Sequence, residues 1–250
     1  MLASLTELRA YRVRGTDGEI GRFDDLCFPD SEWVVRYVVV AMEDLGREAL
    51  LLSTYLGRLN RGTHVLSAET RREQVANTPP FDRSQPITRQ EEKELHDLYG
   101  WPVYWWEQEH DIAPIGGLWE EERVPEQVEE SRAEAEAETE IEPEGTQLLF
   151  AGDLVEVYGI QAEGGEAGTL QDLVVDDETW MVPYLVVSLP ESQRVLLATD
   201  YVETIDLGTR DLYLGLPRDI ILGGPVVSGE EPITPALARS LREYYDQYAR

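Results

Sequence analysis

Two adjacent acidic pairs, Asp24-Asp25 and Asp176-Asp177, are the residues here best suited to chemistry. Paired carboxylates can hold a cation or divide acid and base roles between them. Neighbours on a strand point to opposite faces, so Asp24 and Asp25 are not expected to share one ion. Asp25 and Asp172 stand at repeated positions and are expected to bond turn amides or an arginine. His64, His96 and His110 lie at no ligand spacing from one another or from a cysteine. Glu92 and His96, four apart, read as an ordinary surface pair on a helix. Gly15, Gly18 and Gly21 precede a strand rather than a helix, so they read as turn and bulge residues, not a phosphate cradle. No Ser–His–Asp set is evident. No catalytic, cofactor-binding or metal-binding residue is assigned, and the chain reads as a non-enzyme without a cofactor.

The segment from 101 to 119 is the one place where a functional reading competes. Trp101, Trp105, Trp106 and Trp119 are four of six tryptophans, and Tyr104 joins them. Large apolar patches need a cover, and Trp and Tyr are enriched where partners dock. These five residues are the candidate partner-binding or self-association surface. The competing reading folds them back over the protein. A Glu-rich stretch follows up to residue 146, too charged to bury an apolar face.

The chain of 250 residues carries a formal net charge of −29 from 50 acidic and 21 basic side chains. Such a surface repels phosphate backbones and anionic membranes, so no nucleic acid is expected as partner. The longest apolar runs are too short to span a bilayer, although peripheral membrane contact stays open. The first residues carry no basic stretch leading into an apolar core, so no secretory signal is expected and the setting is read as cytoplasmic. The single cysteine, Cys27, excludes an intramolecular disulfide. Val174 takes its place in the repeat, so Cys27 reads as a small core residue.

The elements behind these residues come in two copies. Trp33 to Val40 returns as Trp180 to Val187, with Trp and Tyr four apart in each (Trp33, Tyr37; Trp180, Tyr184). A Gly precedes each Trp by twelve residues, and an Asp follows that Gly by four (Gly21, Asp25; Gly168, Asp172). The Val-rich runs predict buried strands at 33–40 and 180–187. Tyr11 to Arg14, Ile20 to Phe28, Ala49 to Ser53 and a short strand at His64 complete the first set, with a hairpin at Asp17-Gly18. Thr70 and Glu73 have capping-box spacing, as have Thr88 and Glu91, and each pair predicts a helix start. In the second copy strands are expected at Leu148 to Phe150, Leu154 to Tyr158, Gly168 to Val175, Val195 to Ala198 and Asp211 to Leu214. Gly164-Gly165 makes the hairpin. Pro217 to Leu222 and a final helix capped by Thr234 follow. Pro183 lacks a donor and should sit at a strand start, edge or bulge.

These motifs resemble the PRC-barrel family, whose type member is the small β-barrel of the photosynthetic reaction centre H subunit. The resemblance rests on Asp-Gly-Glu-Ile-Gly at 17–21 with Asp25-Leu26, Trp-x-x-Arg-Tyr-x-Val-Val at 33–40, Leu-Leu-Leu-Ser at 50–53, Gln-Val-x-Asn-x-Pro-Pro at 74–80 and Ile-Thr-Arg at 87–89. It covers about residues 1–105 and returns, weaker, at 147–250. It implies a mainly β protein of two small barrels with appended helices: a first domain at 1–105, an aromatic then Glu-rich linker at 106–146, and a divergent second domain at 147–250. Gly21, Asp25, Trp33, Tyr37, Gly168, Asp172, Trp180 and Tyr184 would be structural hallmarks. It also implies a bacterial module that works by contacting an unknown protein partner or itself. A small-ligand carrier or enzyme with a site between the barrels, and a ribosome-associated maturation factor, remain as alternatives.

Overall fold

The computed structural model describes residues 2–83, 87, 89–100, 148–227 and 233–248. Two compact units divide the chain: residues 1–87 with 147–250, and residues 88–146. In the second unit one helix is described, Arg89–Tyr99, ended by Gly100 at φ +69°. Its Glu92 and His96 are buried rather than a surface pair. The segment holding Trp101, Tyr104, Trp105, Trp106, His110 and Trp119 lies outside the described residues, as does Thr88.

The first unit is mainly β. Its elements are β1 (Leu2–Ser4), α1 (Leu5–Leu8), β2 (Arg12–Arg14), β3 (Glu19–Pro29), β4 (Tyr37–Met42), β5 (Arg47–Leu52), β6 (Leu56–Asn60), β7 (Val65–Ala68) and α2 (Arg72–Ala76). With the Arg89–Tyr99 helix counted as α3, the second half gives β8 (Leu148–Phe150), α4 (Ala151–Leu154), β9 (Gly159–Glu163), β10 (Gly165–Asp176), β11 (Tyr184–Ser188), β12 (Arg194–Ala198), β13 (Val202–Asp206), β14 (Asp211–Pro217), α5 (Arg218–Leu222) and α6 (Pro235–Tyr245).

These strands build two separate seven-stranded sheets of the same plan. One runs β5-β4-β3-β2-β7-β6 and the other β12-β11-β10-β9-β14-β13. Pairing is antiparallel except for β2 with β7 and β9 with β14, which are parallel. Both sheets are open. The shared plan extends to their irregularities: a bulge at Ile20 against β2 has its counterpart at Ala167 against β9, and a bulge at Asp24 against β4 has its counterpart at Gln171 against β11.

The seventh strand of each sheet comes from the other copy. β1 pairs antiparallel with β10, setting Ala3 opposite Val175, and β8 pairs antiparallel with β3, setting Leu149 opposite Phe28. Each lead-in strand runs straight into a single helical turn, α1 or α4. In α1 the Ser4 hydroxyl accepts the Glu7 N–H at 3.1 Å and caps that turn.

Several local expectations change. The strands foreseen at 33–40 and 180–187 begin only at Tyr37 and Tyr184. The residues before them bridge the two copies instead. Leu154 to Tyr158 forms the end of α4 and a turn, not a strand. His64 stands outside β7 at φ +51°. The cap of α2 falls one residue late: Arg71 is the N-cap, and its N–H donates to the Gln74 side chain at 3.2 Å. Pro183 does lie immediately before its strand, where Arg36 of the first copy donates its N–H to Cys27 O. The Thr234 hydroxyl accepts the Leu237 N–H at 3.2 Å, as a cap before Pro235 should. Leu241 of that helix packs with Val174 and Leu196.

Gly21 and Gly168 fill one role in the two sheets. A Cβ on Gly21 would lie 2.3 Å from Ala41 O, and one on Gly168 would lie 2.3 Å from Ser188 O. Only a residue without a side chain lets these strands approach. Cys27 is fully buried between Tyr37 and Phe150 in the sheet.

Candidate functional site

The repeated residues meet along the seam between the copies. Val35 donates its N–H to Trp180 O at 2.8 Å, and Val182 donates to Trp33 O at 2.7 Å. The two bonds are copies of each other and make Val34 and Met181 an antiparallel bridge. Each flank is held by a hydroxyl: Ser53 donates to Val35 O at 2.7 Å, and Thr199 donates to Val182 O at 2.8 Å. Two backbone bonds of 33–36 and 180–183 thus cross the seam, and others stay within each copy, such as Arg36 N–H to Cys27 O and Trp180 N–H to Asp176 O, so the buried backbone is satisfied from both sides.

Asp25 and Asp172 serve the same seam. Asp25 Oδ1 accepts the N–H of Leu26 at 2.8 Å and of Gly152, in α4, at 2.9 Å. Asp172 Oδ1 accepts the N–H of Leu173 at 2.8 Å and of Thr6, in α1, at 3.3 Å. Each carboxylate therefore holds the helical turn that follows the exchanged strand. Asp177, also buried, accepts the Leu59 N–H at 3.2 Å, and Arg58 pairs with Glu178.

The copies differ around these aspartates. Beside Asp25, Arg83 reaches Asp25 Oδ2 at 2.7 Å, Asp24 Oδ2 at 3.3 Å and Glu48 at 3.5 Å. Arg9 donates to Asp24 O at 3.0 Å. Asp24 and Asp25 thus share one cation, contrary to the alternation expected of a strand. The bulge at Asp24 is the reason, because an extra residue breaks the two-residue period and turns both carboxylates the same way. Gln171 stands at the bulge of the second copy with its amide oxygen buried and unbonded, and among the described residues no ion pair reaches Asp172. Burial pushes the Asp25 carboxyl up to about 6, against the pull of the Leu26 amide, Arg83, the Gly152 amide and Arg9.

The aromatics at the repeated positions also diverge. Trp180 is buried at φ +55°, with its indole N–H unpartnered. Trp33 is half-buried and packs on Phe28 at 5.3 Å between ring centroids. Tyr37 is fully buried and Tyr184 half-buried. On the outer side of the bridge, Val34 and Met181 stay 38% and 48% exposed, which places two apolar side chains next to each other at the crossing point. Composition alone does not mark these two; their exposure follows from pairing across the seam.

Two shallow depressions lie at outer turns. One of about 240 Å³ is lined by Ala41 to Glu43 and Gly46 to Glu48. The other, about 430 Å³, lies between Glu166–Thr169, Ser188–Pro190 and Arg218. Among the described residues no group of three or more His, Cys, Asp or Glu could hold a metal ion, and no helix is long and apolar enough to cross a membrane.

No protein-family model matches this chain, and no curated protein matches it.

Proposed function

We propose that this protein is a non-enzymatic binding module: two PRC-barrel-like units, fused in one chain, that present their shared seam to a protein partner. The observation that carries this reading is the Val34–Met181 bridge. The seam orders the backbone on both sides, yet its outer face keeps an apolar pair in water. Rigid, exposed apolar residues at a structured junction suit docking. The aromatic residues Trp101, Tyr104, Trp105, Trp106 and Trp119 form a second contact on this reading, and the acidic stretch between them and residue 147 acts as a tether. The charge of −29 favours a partner with a basic rim. Such a partner would be met in the cytoplasm.

The test is cross-linking in lysate of the parent organism with the identified partner then titrated in purified form. Val34→Glu combined with Met181→Glu should weaken binding at least ~10-fold, the size expected when a small interface cluster is lost. Leu45→Glu, at an exposed apolar turn residue away from the bridge, should leave it unchanged. Equal binding by all three proteins would remove the seam from the account. Loss only with Ser at Trp101, Trp105 and Trp106 would move the docking surface to the aromatic segment.

A further inference from the structure

The arrangement around Asp25 differs from that around Asp172 in one respect that bears on control. Past α2 the chain reaches Phe81 and Arg83, and both lie against Phe150 at the head of the second copy. The Phe81 and Phe150 rings stack at 6.0 Å, and the Arg83 guanidinium sits 5.1 Å from the centre of the Phe150 ring. Arg83 also holds Asp25, and Asp25 holds Gly152, two residues beyond Phe150. One buried carboxylate thus ties the exit of the first copy to the entry of the second.

We propose that Asp25 and Arg83 form a proton-sensitive latch that clamps the 81–83 segment onto Phe150 and lets it loosen as the medium acidifies. This goes beyond the binding role and does not depend on it. The groups facing Asp25 set the balance. Asp24 comes from its own strand, Arg9 from the end of α1, Glu48 from β5 and Arg83 from the latch segment. From α4 comes the Gly152 amide, with Asp153 turned to solvent. β4, which pairs with Asp25, and β8, which pairs with Cys27 to Pro29 on the same strand, carry no charged side chain. On α2, Arg72 pairs with Asp44, and Glu73 is exposed. Three carboxylates therefore face two guanidinium groups. Protonating Asp25 removes the closest anion from Arg83, while the neutral carboxyl can still accept from Gly152.

The direction follows from linkage. Arg83 favours the ionised form, so Asp25 binds its proton less tightly with the latch closed than with it open. The latch is then fully held above the open-state pKa and weakens as pH falls through the closed-state value of about 6. Among the described residues no arginine pairs with Asp172, which serves as an internal control.

The chain contains only four phenylalanines, Phe23, Phe28, Phe81 and Phe150, so incorporated 4-fluorophenylalanine gives four fluorine resonances to assign in the full-length protein. The Phe81 and Phe150 signals should shift together between pH 7.5 and 5, with a midpoint near 6, while Phe23 and Phe28 hold still. Asp25→Asn should fix the pair at the low-pH position at every pH. Asp172→Asn should titrate as the wild type does. Arg83→Gln should raise the Asp25 pKa, read from its side-chain carbon shift, by at least ~0.5. Static Phe81 and Phe150 signals across this range would overturn the latch, as would the same titration in Asp25→Asn. An Asp25 pKa indifferent to Arg83 would do so too.

Discussion

Asp25 accepts the Gly152 N–H at 2.9 Å and Asp172 accepts the Thr6 N–H at 3.3 Å, so each copy's repeated aspartate closes the helical turn of the other copy. The seam is therefore reciprocal down to single hydrogen bonds. A domain that lends its first strand and receives another in return has the geometry of a swapped dimer written into one chain. Substitutions at paired positions should then have paired effects.

Gly21→Ala and Gly168→Ala each place a methyl group 2.3 Å from a backbone oxygen. Strand separation or backbone shift must follow. Each should destabilise the fold by about 2 kcal/mol, within the range for overpacking. Urea midpoints measured at constant m-value check this. Gly62→Ala, where the nearest atom to the new Cβ is Asn60 Oδ1 at 3.5 Å, should cost much less.

Ser53→Ala and Thr199→Val remove the hydroxyls bonded to Val35 O and Val182 O. Both residues are buried, so the loss is not refilled easily by water. A cost of about 1 kcal/mol is expected for each. Because the two bonds flank one bridge, the double variant should depart from additivity, which a double-mutant cycle would read. Strict additivity would mean that the two flanks do not communicate through the seam.

The pH dependence of global stability runs opposite to that of the latch. Burial raises the folded Asp25 carboxyl to about 6, above its ordinary value of 3.8. Its contribution is fully present below about 3.8 and is lost as pH rises through about 6. Wild type should gain up to about 3 kcal/mol relative to Asp25→Asn on going from pH 7 to pH 4, at 1.36 kcal/mol per pKa unit. The measurement is the difference between the two unfolding curves, which cancels the repulsion of the many other carboxylates. A flat difference would mean that Asp25 is already ionised at pH 4.

Much of the plan was legible in the residues. Gly21 and Gly168, with their aspartates and aromatics, mark equivalent places in the two sheets because close strand contacts tolerate only glycine there. Pro183 and the Thr234 cap fell where local chemistry put them. The exchange of β1 and β8 was not legible, since three-residue strands carry too little pattern to name a partner far away in sequence. The same non-local pairing hides the fate of 33–36, where Trp33 O and Val35 N–H are used across the seam. β6 and β13 were missed because Leu56 to Asn60 and Val202 to Asp206 alternate weakly. The Asp24–Asp25 pair was misjudged because a bulge cancels the alternation on which the reading relied. The exposed Val34 and Met181 had no sequence signal, because a Val or Met in an apolar run looks like core.

The exchange itself is tested most directly by a disulfide across it. Ala3 and Val175 are direct partners in the β1–β10 pair, and opposed antiparallel residues lie within the span a disulfide can bridge. Ala3→Cys with Val175→Cys, in a Cys27→Val background that copies the residue at the equivalent Val174, should oxidise to a bond within one chain. Non-reducing gels should show a faster-migrating monomer, and peptide mapping should join residues 3 and 175. If the pair fails to oxidise, or links only separate chains, β1 does not lie on β10 of its own chain and the fused-pair account is wrong.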